Sequence, residues 1–193
     1  MSKKLAEMSL EELWRLFPII LTEHQECWKE WYSKEETLLN KVLPKVQRIS
    51  HIGSTAISSI RAKPIIDILV EIPKESNLFD YKDLITHNGY ICMSESEKGL
   101  SFNKGYTENG FAERVFHLHL RHSGDNNELY FRDYLNEFPD IAKEYEKLKL
   151  SLWKKFEHNR DAYTNAKTEF VKKYTEQAKM QEIYFIAKGQ EVL

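Results

Sequence analysis

The chain has 193 residues, 41% apolar and 30% charged, with a net charge of -2. That mix supplies a core of domain size and excludes a disordered chain. A balance so close to neutral gives no field for bulk nucleic-acid or membrane binding, although a local basic patch can still hold a nucleotide or phosphate.

Cys27 and Cys92 stand in no metal-binding or CxxC spacing, which suits free thiols in a reducing compartment. The opening MSKKLAEMSLEELW has no apolar signal core, and no apolar run reaches the roughly 18 residues of a membrane span. The expectation is a cytoplasmic protein with no membrane partner.

Ser9 and Glu12 form a capping-box pattern, so a first helix is expected from Leu10, ended by Pro18. A second helix fits Glu23 to about Val42, with Trp28, Trp31, Leu38 and Leu39 on its packing side. Val46–Ile52 reads as a strand. Pro64–Ile72, PIIDILVEI, reads as a central strand buried on both faces. Leu78–His87 is expected to be helical, ending near Asn88-Gly89, and Tyr90–Met93 to be a short strand. Ser94–Asn109 is polar and glycine-spotted, and reads as a mobile loop or hairpin with a short strand at Leu100–Phe102. Phe111–Arg121 alternates as a strand. Helices follow over Asn126–Glu137, Pro139 to about Phe156, and Asp161 to about Lys188, the last ended by Gly189. Tyr163, Ala166, Phe170, Tyr174 and Ala178 give that last helix its buried stripe. The pattern is α+β with a mixed sheet.

Chemistry concentrates on Ile49–Ile72. Gly53-Ser54, followed by Thr55, closes a strand with a turn that is either ordinary or a phosphate cradle. It is not a P-loop. Asp67 interrupts an apolar strand, where a carboxylate is costly unless paired or bound to metal. Strand parity puts Leu69 and Glu71 on the Asp67 side; Glu71 reads as a surface residue near the strand end. Lys63 sits just ahead of this strand, as a solvated lysine or a phosphate partner. His117 and His119 project together from their strand, as metal ligands, proton acceptors or polar surface. Arg132 is a phosphate clamp or a helix-surface charge. Lys167 shares a helix face with Tyr163 and either reaches a ligand or is solvated.

The segments HIGSTAISSIRAKPIIDILVEI, HLHL, YFRDYL with Pro139 following, EYEKLK and DAYTNAKTEFV resemble the GrpB family in order and spacing, over roughly residues 14–180. PIILTEHQECWKEWYSKEETLL looks like its N-terminal helix. The family is similar to the nucleotidyltransferase superfamily with the polymerase-beta-type fold. The resemblance implies one domain over 1–193, with its sheet in about 44–122 and closing helices in about 125–188. The superfamily signature is a Gly-Ser turn, an acid-hydrophobic-acid strand and a third acid on a neighbouring strand. Gly53, Ser54 and Asp67 match; Leu69 stands at the second acid, and His117 or His119 near the third. The implied activity is Mg²⁺-dependent nucleotidyl transfer to an unknown acceptor. Asp67 and His119, or His117, would serve catalysis and the metal. Gly53, Ser54 and Thr55 would hold phosphate, and Lys63, Arg132 and Lys167 would neutralise it. The alternatives are a non-catalytic member that binds a nucleotide or related phosphate ligand, and transition-metal phosphate chemistry on the histidine pair. Fusion of some family members to dephospho-CoA kinase links the group to coenzyme A or nucleotide metabolism.

Overall fold

The apolar run before Pro73 becomes strand β2 (Ile66–Ile72), the axis of a five-stranded mixed sheet. The computed structural model describes residues 3–187. The other strands are β1 (Arg48–Ile52), β3 (Ile91–Ser96), β4 (Gly99–Thr107) and β5 (Gly110–His122), and the order is β1-β2-β5-β4-β3. β2 and β5 run parallel; the other neighbouring pairs are antiparallel. The helices are α1 (Leu10–Leu16), α2 (Cys27–Val42), α3 (Lys82–Thr86), α4 (Asn127–Glu137), α5 (Pro139–Phe156), α6 (Arg160–Asn165) and α7 (Thr168–Ala187). The α+β class and the mixed sheet flanked by helices are as the sequence implies.

Parity splits the sheet into two unlike faces. Ile66, Ile68, Val70 and Ile72 join Leu118, Leu120, Leu100 and Phe102 on one face, covered by Trp28 and Leu39 of α2 and Ile85 of α3. Each such fully buried side chain contributes about 1.5–3 kcal/mol. The opposite face carries Asp67, Leu69 and Glu71 beside His117, His119 and Arg121 in register. There Leu69 packs with Ile52 of β1 and Leu129 of α4. A further core joins Ile57 and Ile60 to Leu135, Tyr145 and Tyr174 and seats the C-terminal helices.

Several elements differ from expectation. α1 carries its Ser9–Glu12 capping box, but α2 starts at Cys27 instead of Glu23. The preceding segment is extended: Ile19 and Leu21 are buried, Ile20 is exposed, and Thr22 exchanges backbone hydrogen bonds with Ala62. The polar stretch 94–109 is mostly paired strand, in a β3–β4 hairpin. Leu100 and Phe102 face the core, while Ser101 and Asn103 point to the polar face, so low hydropathy hides a half-buried strand. The last helix is broken at Ala166 and Lys167. Tyr163 is buried with Lys63 and Lys167 over its ring, whereas Phe170 stacks on Tyr145 and contacts Tyr174. One straight stripe does not serve both packing sites, and Ala166 is exposed. The expected stop at Lys188 and Gly189 lies outside the described residues.

Glu71 is not a surface residue. It is 2% exposed, and its carboxylate accepts from Arg48 Nε (2.5 Å), the Gly124 amide (3.2 Å) and Asn126 Nδ2 (3.1 Å). It ties the ends of β1 and β5 and the start of α4 to β2.

Candidate phosphate and proton-transfer site

The Gly53-Ser54 turn and Asp67 meet because β1 pairs Ile52 opposite Asp67. Gly53 has φ +69°, and a β-carbon there would lie 2.3 Å from Asp67 Oδ2. Both the left-handed backbone and the close approach require glycine. The chain then makes a single 3-10 turn, Ser54–Ala56. Thr55 is buried inside it: its hydroxyl donates to the Ile65 carbonyl (3.1 Å) and contacts His51 Nε2 (2.9 Å). Thr55 therefore locks the turn against the start of β2, and Ser54 is the hydroxyl at the cleft. Ser54 bonds the phenol of Tyr145 from α5, a buried tyrosine within the field of Asp67.

Asp67 heads a chain of hydrogen bonds. An arginine only donates, so Arg160 Nη2 gives a bond to Tyr106 Oη (2.9 Å). The Tyr106 hydroxyl donates to His117 Nε2 (2.8 Å), and His117 Nδ1–H faces Asp67 Oδ1 at 3.2 Å. Burial raises the Tyr106 phenol above its ordinary range although Arg160 pulls it down, so it stays protonated as this polarity requires. Burial pushes the Asp67 carboxyl up, but the hydrogen bond from His117, with Lys63 behind, holds it below its ordinary value. Asp67 is thus an anion with one oxygen held by imidazole and the other against Gly53.

Tyr106 reaches this face through an irregularity. Asn103 pairs with His117 and Lys104 with Phe116, after which the β4–β5 register shifts. Gly105, at φ +90°, sits where a β-carbon would lie 2.2 Å from the Arg114 carbonyl oxygen. The bulge re-aims Tyr106 toward His117.

His119 lies on the same face but pairs in register with Leu69, not Asp67. Burial lowers its imidazole to about 4 against the pull of Asp67, so it is neutral near pH 7.

Cations dominate the rest of the cleft. The Lys63 and Lys167 ammoniums lie 5.7 and 4.3 Å from the centroid of the Tyr163 ring. Among the described residues neither makes a hydrogen bond or salt bridge. Burial, then the charges of Arg160 and Lys167, lowers Lys63 to about 7; burial lowers Lys167 to about 8, with Asp67 opposing. Lys149 of α5 is 2% exposed, lies over the Tyr145 ring and donates to the Arg61 carbonyl. Burial and Lys167 lower it to about 7.

Of the residues singled out in the sequence, Gly53, Ser54, Asp67, His117, Lys63 and Lys167 gather here, with His119 two register positions along. Arg132 is engaged elsewhere: Nη1 donates to the His51 carbonyl (2.8 Å) and Nε to Asp133 (2.7 Å), fastening α4 to β1. Tyr106, Tyr145, Lys149 and Arg160 were not foreseen. A signal existed for Lys149, which continues the buried stripe Ala142–Tyr145 on α5.

A two-ion centre needs carboxylates on adjacent same-face positions, because Mg²⁺ takes oxygen ligands in near-octahedral geometry. Here the partner position is Leu69, 0% exposed under Leu129, and the facing strand offers imidazoles. Among the described residues no group of three or more His, Cys, Asp or Glu is placed to hold a metal. The donor set does not fit two magnesium ions.

Among proteins of known sequence, the glutamate-rich protein GrpB of Alkalihalophilus pseudofirmus is 37% identical over 160 residues, covering 79% of this chain and 91% of that protein. The crystal structure of a conserved protein GrpB from Enterococcus faecalis superposes with a TM-score of 0.73 at 30% identity, over 84% of this chain and 99% of that one. The Cid1 poly(U) polymerase, with Mg and 3′-dATP bound, reaches a TM-score of 0.50 at 10% identity, over 81% of this chain and 51% of that chain; this likeness concerns the fold, which is nucleotidyltransferase-like. The model of the GrpB protein family matches residues 18–177, and the chain belongs to that family.

Proposed function

We propose that the cleft binds a nucleotide through its phosphates, with lysines supplying the charge neutralisation that metal ions give in two-ion enzymes. The observation that carries this reading is the Lys63–Tyr163–Lys167 arrangement: partly buried ammoniums on one aromatic ring, with no carboxylate among the described residues bonded to either. Desolvated cations without a counter-ion are destabilising. A phosphate entering beside Ser54 would relieve that cost and gain charge-assisted hydrogen bonds. The test is calorimetric titration with ATP, with and without Mg²⁺. Binding without Mg²⁺, weakened on the order of tenfold in Lys63→Ala and in Lys167→Ala, is the expected result. Affinity that vanishes in EDTA would overturn it and restore magnesium-dependent binding.

The Asp67–His117–Tyr106–Arg160 chain favours a second reading, nucleotidyl transfer. A ligand hydroxyl would lose its proton to Asp67 as its oxygen attacks the α-phosphorus, and pyrophosphate would leave toward Lys63 and Lys167. Release of pyrophosphate from ATP with a pool of hydroxyl-bearing acceptors, abolished in Asp67→Asn, would establish it. No release with any acceptor leaves the protein a nucleotide binder.

A further inference from the structure

Tyr145 and Lys167 also line a groove of about 570 Å³ that runs along α7, with Thr164 of α6 and Asn127 of α4 in its walls. Its α7 wall is Thr168, Val171, Lys172, Thr175 and Lys179, positions that fall on one side of a helix. The size is that of a small-molecule site. Val171 gives the wall its apolar surface, while the Tyr145 ring, 5% exposed, is packed against Phe170. The Thr164 and Thr168 hydroxyls and the Lys172 ammonium make no hydrogen bond or ion pair among the described residues. At the far end Lys179 donates to Asn127 of α4, which limits the length of an occupant.

We propose that this groove is the second arm of the ligand site and that the ligand is a nucleoside bisphosphate. One phosphate sits at Ser54, Lys63 and Lys167, the nucleoside lies against Val171 and Thr168, and the other phosphate sits at Lys172. The inference rests on the reading of the cleft as a nucleotide site. Lys167 and Lys172 both line the groove, five positions apart, with a rise of about 7.5 Å and their side chains turned about 140° from each other around the axis, so they reach it from two sides. The one acid in the lining, Glu176, works against the second phosphate. It makes a neutral substitution at that position informative.

The experiment compares adenosine 5′-monophosphate with adenosine 3′,5′-bisphosphate by calorimetry on the full chain. The bisphosphate is expected to bind on the order of tenfold more tightly. Lys172→Glu, at an exposed position that leaves the core intact, should erase that advantage without changing monophosphate affinity. Glu176→Gln should enlarge it. Equal binding of the two nucleotides, or an equal loss of both in Lys172→Glu, overturns the second arm while the cleft reading stands. Failure of both to bind overturns the cleft reading itself. Affinity that keeps rising with longer single-stranded oligonucleotides would replace the bisphosphate with a nucleic-acid strand.

Discussion

The two carboxylates of β2 share one strand and one face and have different surroundings. Glu71 is satisfied on both oxygens by a guanidinium, a backbone amide and a side-chain amide, and almost nothing of it reaches solvent. Asp67 has an imidazole on one oxygen, a glycine beside the other, and a 29% exposed side chain in a cleft rich in ammonium groups. The difference separates a carboxylate that builds the fold from one left available for chemistry. Leu69 lies between them, under α4, and belongs to the fold.

The sharpest way to break this contrast is to convert the middle residue. Leu69→Asp would restore the acid-hydrophobic-acid pattern, but it places a carboxylate against Ile52 and Leu129 with only the neutral His119 imidazole beside it. It should destabilise the protein by about 3–5 kcal/mol and confer no magnesium affinity. Urea unfolding and a Mg²⁺ titration decide it; a stable variant that binds Mg²⁺ would show that α4 lifts away and the face is open.

Glu71→Ala comes next. It leaves Arg48, the Gly124 amide and Asn126 without their acceptor. Arg48 is 47% exposed and can rehydrate, so the loss is expected at about 2–3 kcal/mol. The same measurement on Asp67→Asn should show a change under 1 kcal/mol, since asparagine fits the space and retains an acceptor for His117. Its effect belongs to the ligand. Removing a negative charge beside the phosphates should tighten metal-free ATP binding several-fold, whereas a magnesium-dependent site would lose affinity.

Much of this was legible in the sequence. The contact of Gly53 with Asp67 comes from the β1–β2 pairing, but the capping box at Ser9, the buried run of β2 and the shared side of His117 and His119 follow from local periodicity and turn chemistry. Tyr106 did not, because parity read through β4 puts it on the core face and only the irregularity at Gly105 turns it over. Glu71 was read as surface because its partners come from 23 residues before it and more than 50 after it, beyond any local pattern. Arg132 had the right chemistry for a phosphate, but the packing of α4 on β1 decided its use. Arg160 follows a helix break and carries no periodic signal.

The pH dependence offers another test, because the lysines reverse sign between empty and filled cleft. Lys63, Lys149 and Lys167 have folded values near 7, 7 and 8 against 10.5 for an ordinary lysine. Between those limits the unfolded chain holds more protons, so the stability of the free protein should rise with pH from about 7 to about 10. Below pH 7 both states are protonated, and the contribution is flat. A bound phosphate favours the ammonium form and draws protons back onto Lys63 and Lys167. Nucleotide affinity should therefore fall as pH rises from 7 to 9, with proton uptake on binding at pH 8, visible as a dependence of calorimetric enthalpy on the ionisation heat of the buffer. Affinity that is level across this range, with no buffer dependence, would mean that the phosphates do not reach these lysines and that the contrast between the ends of β2 is structural alone.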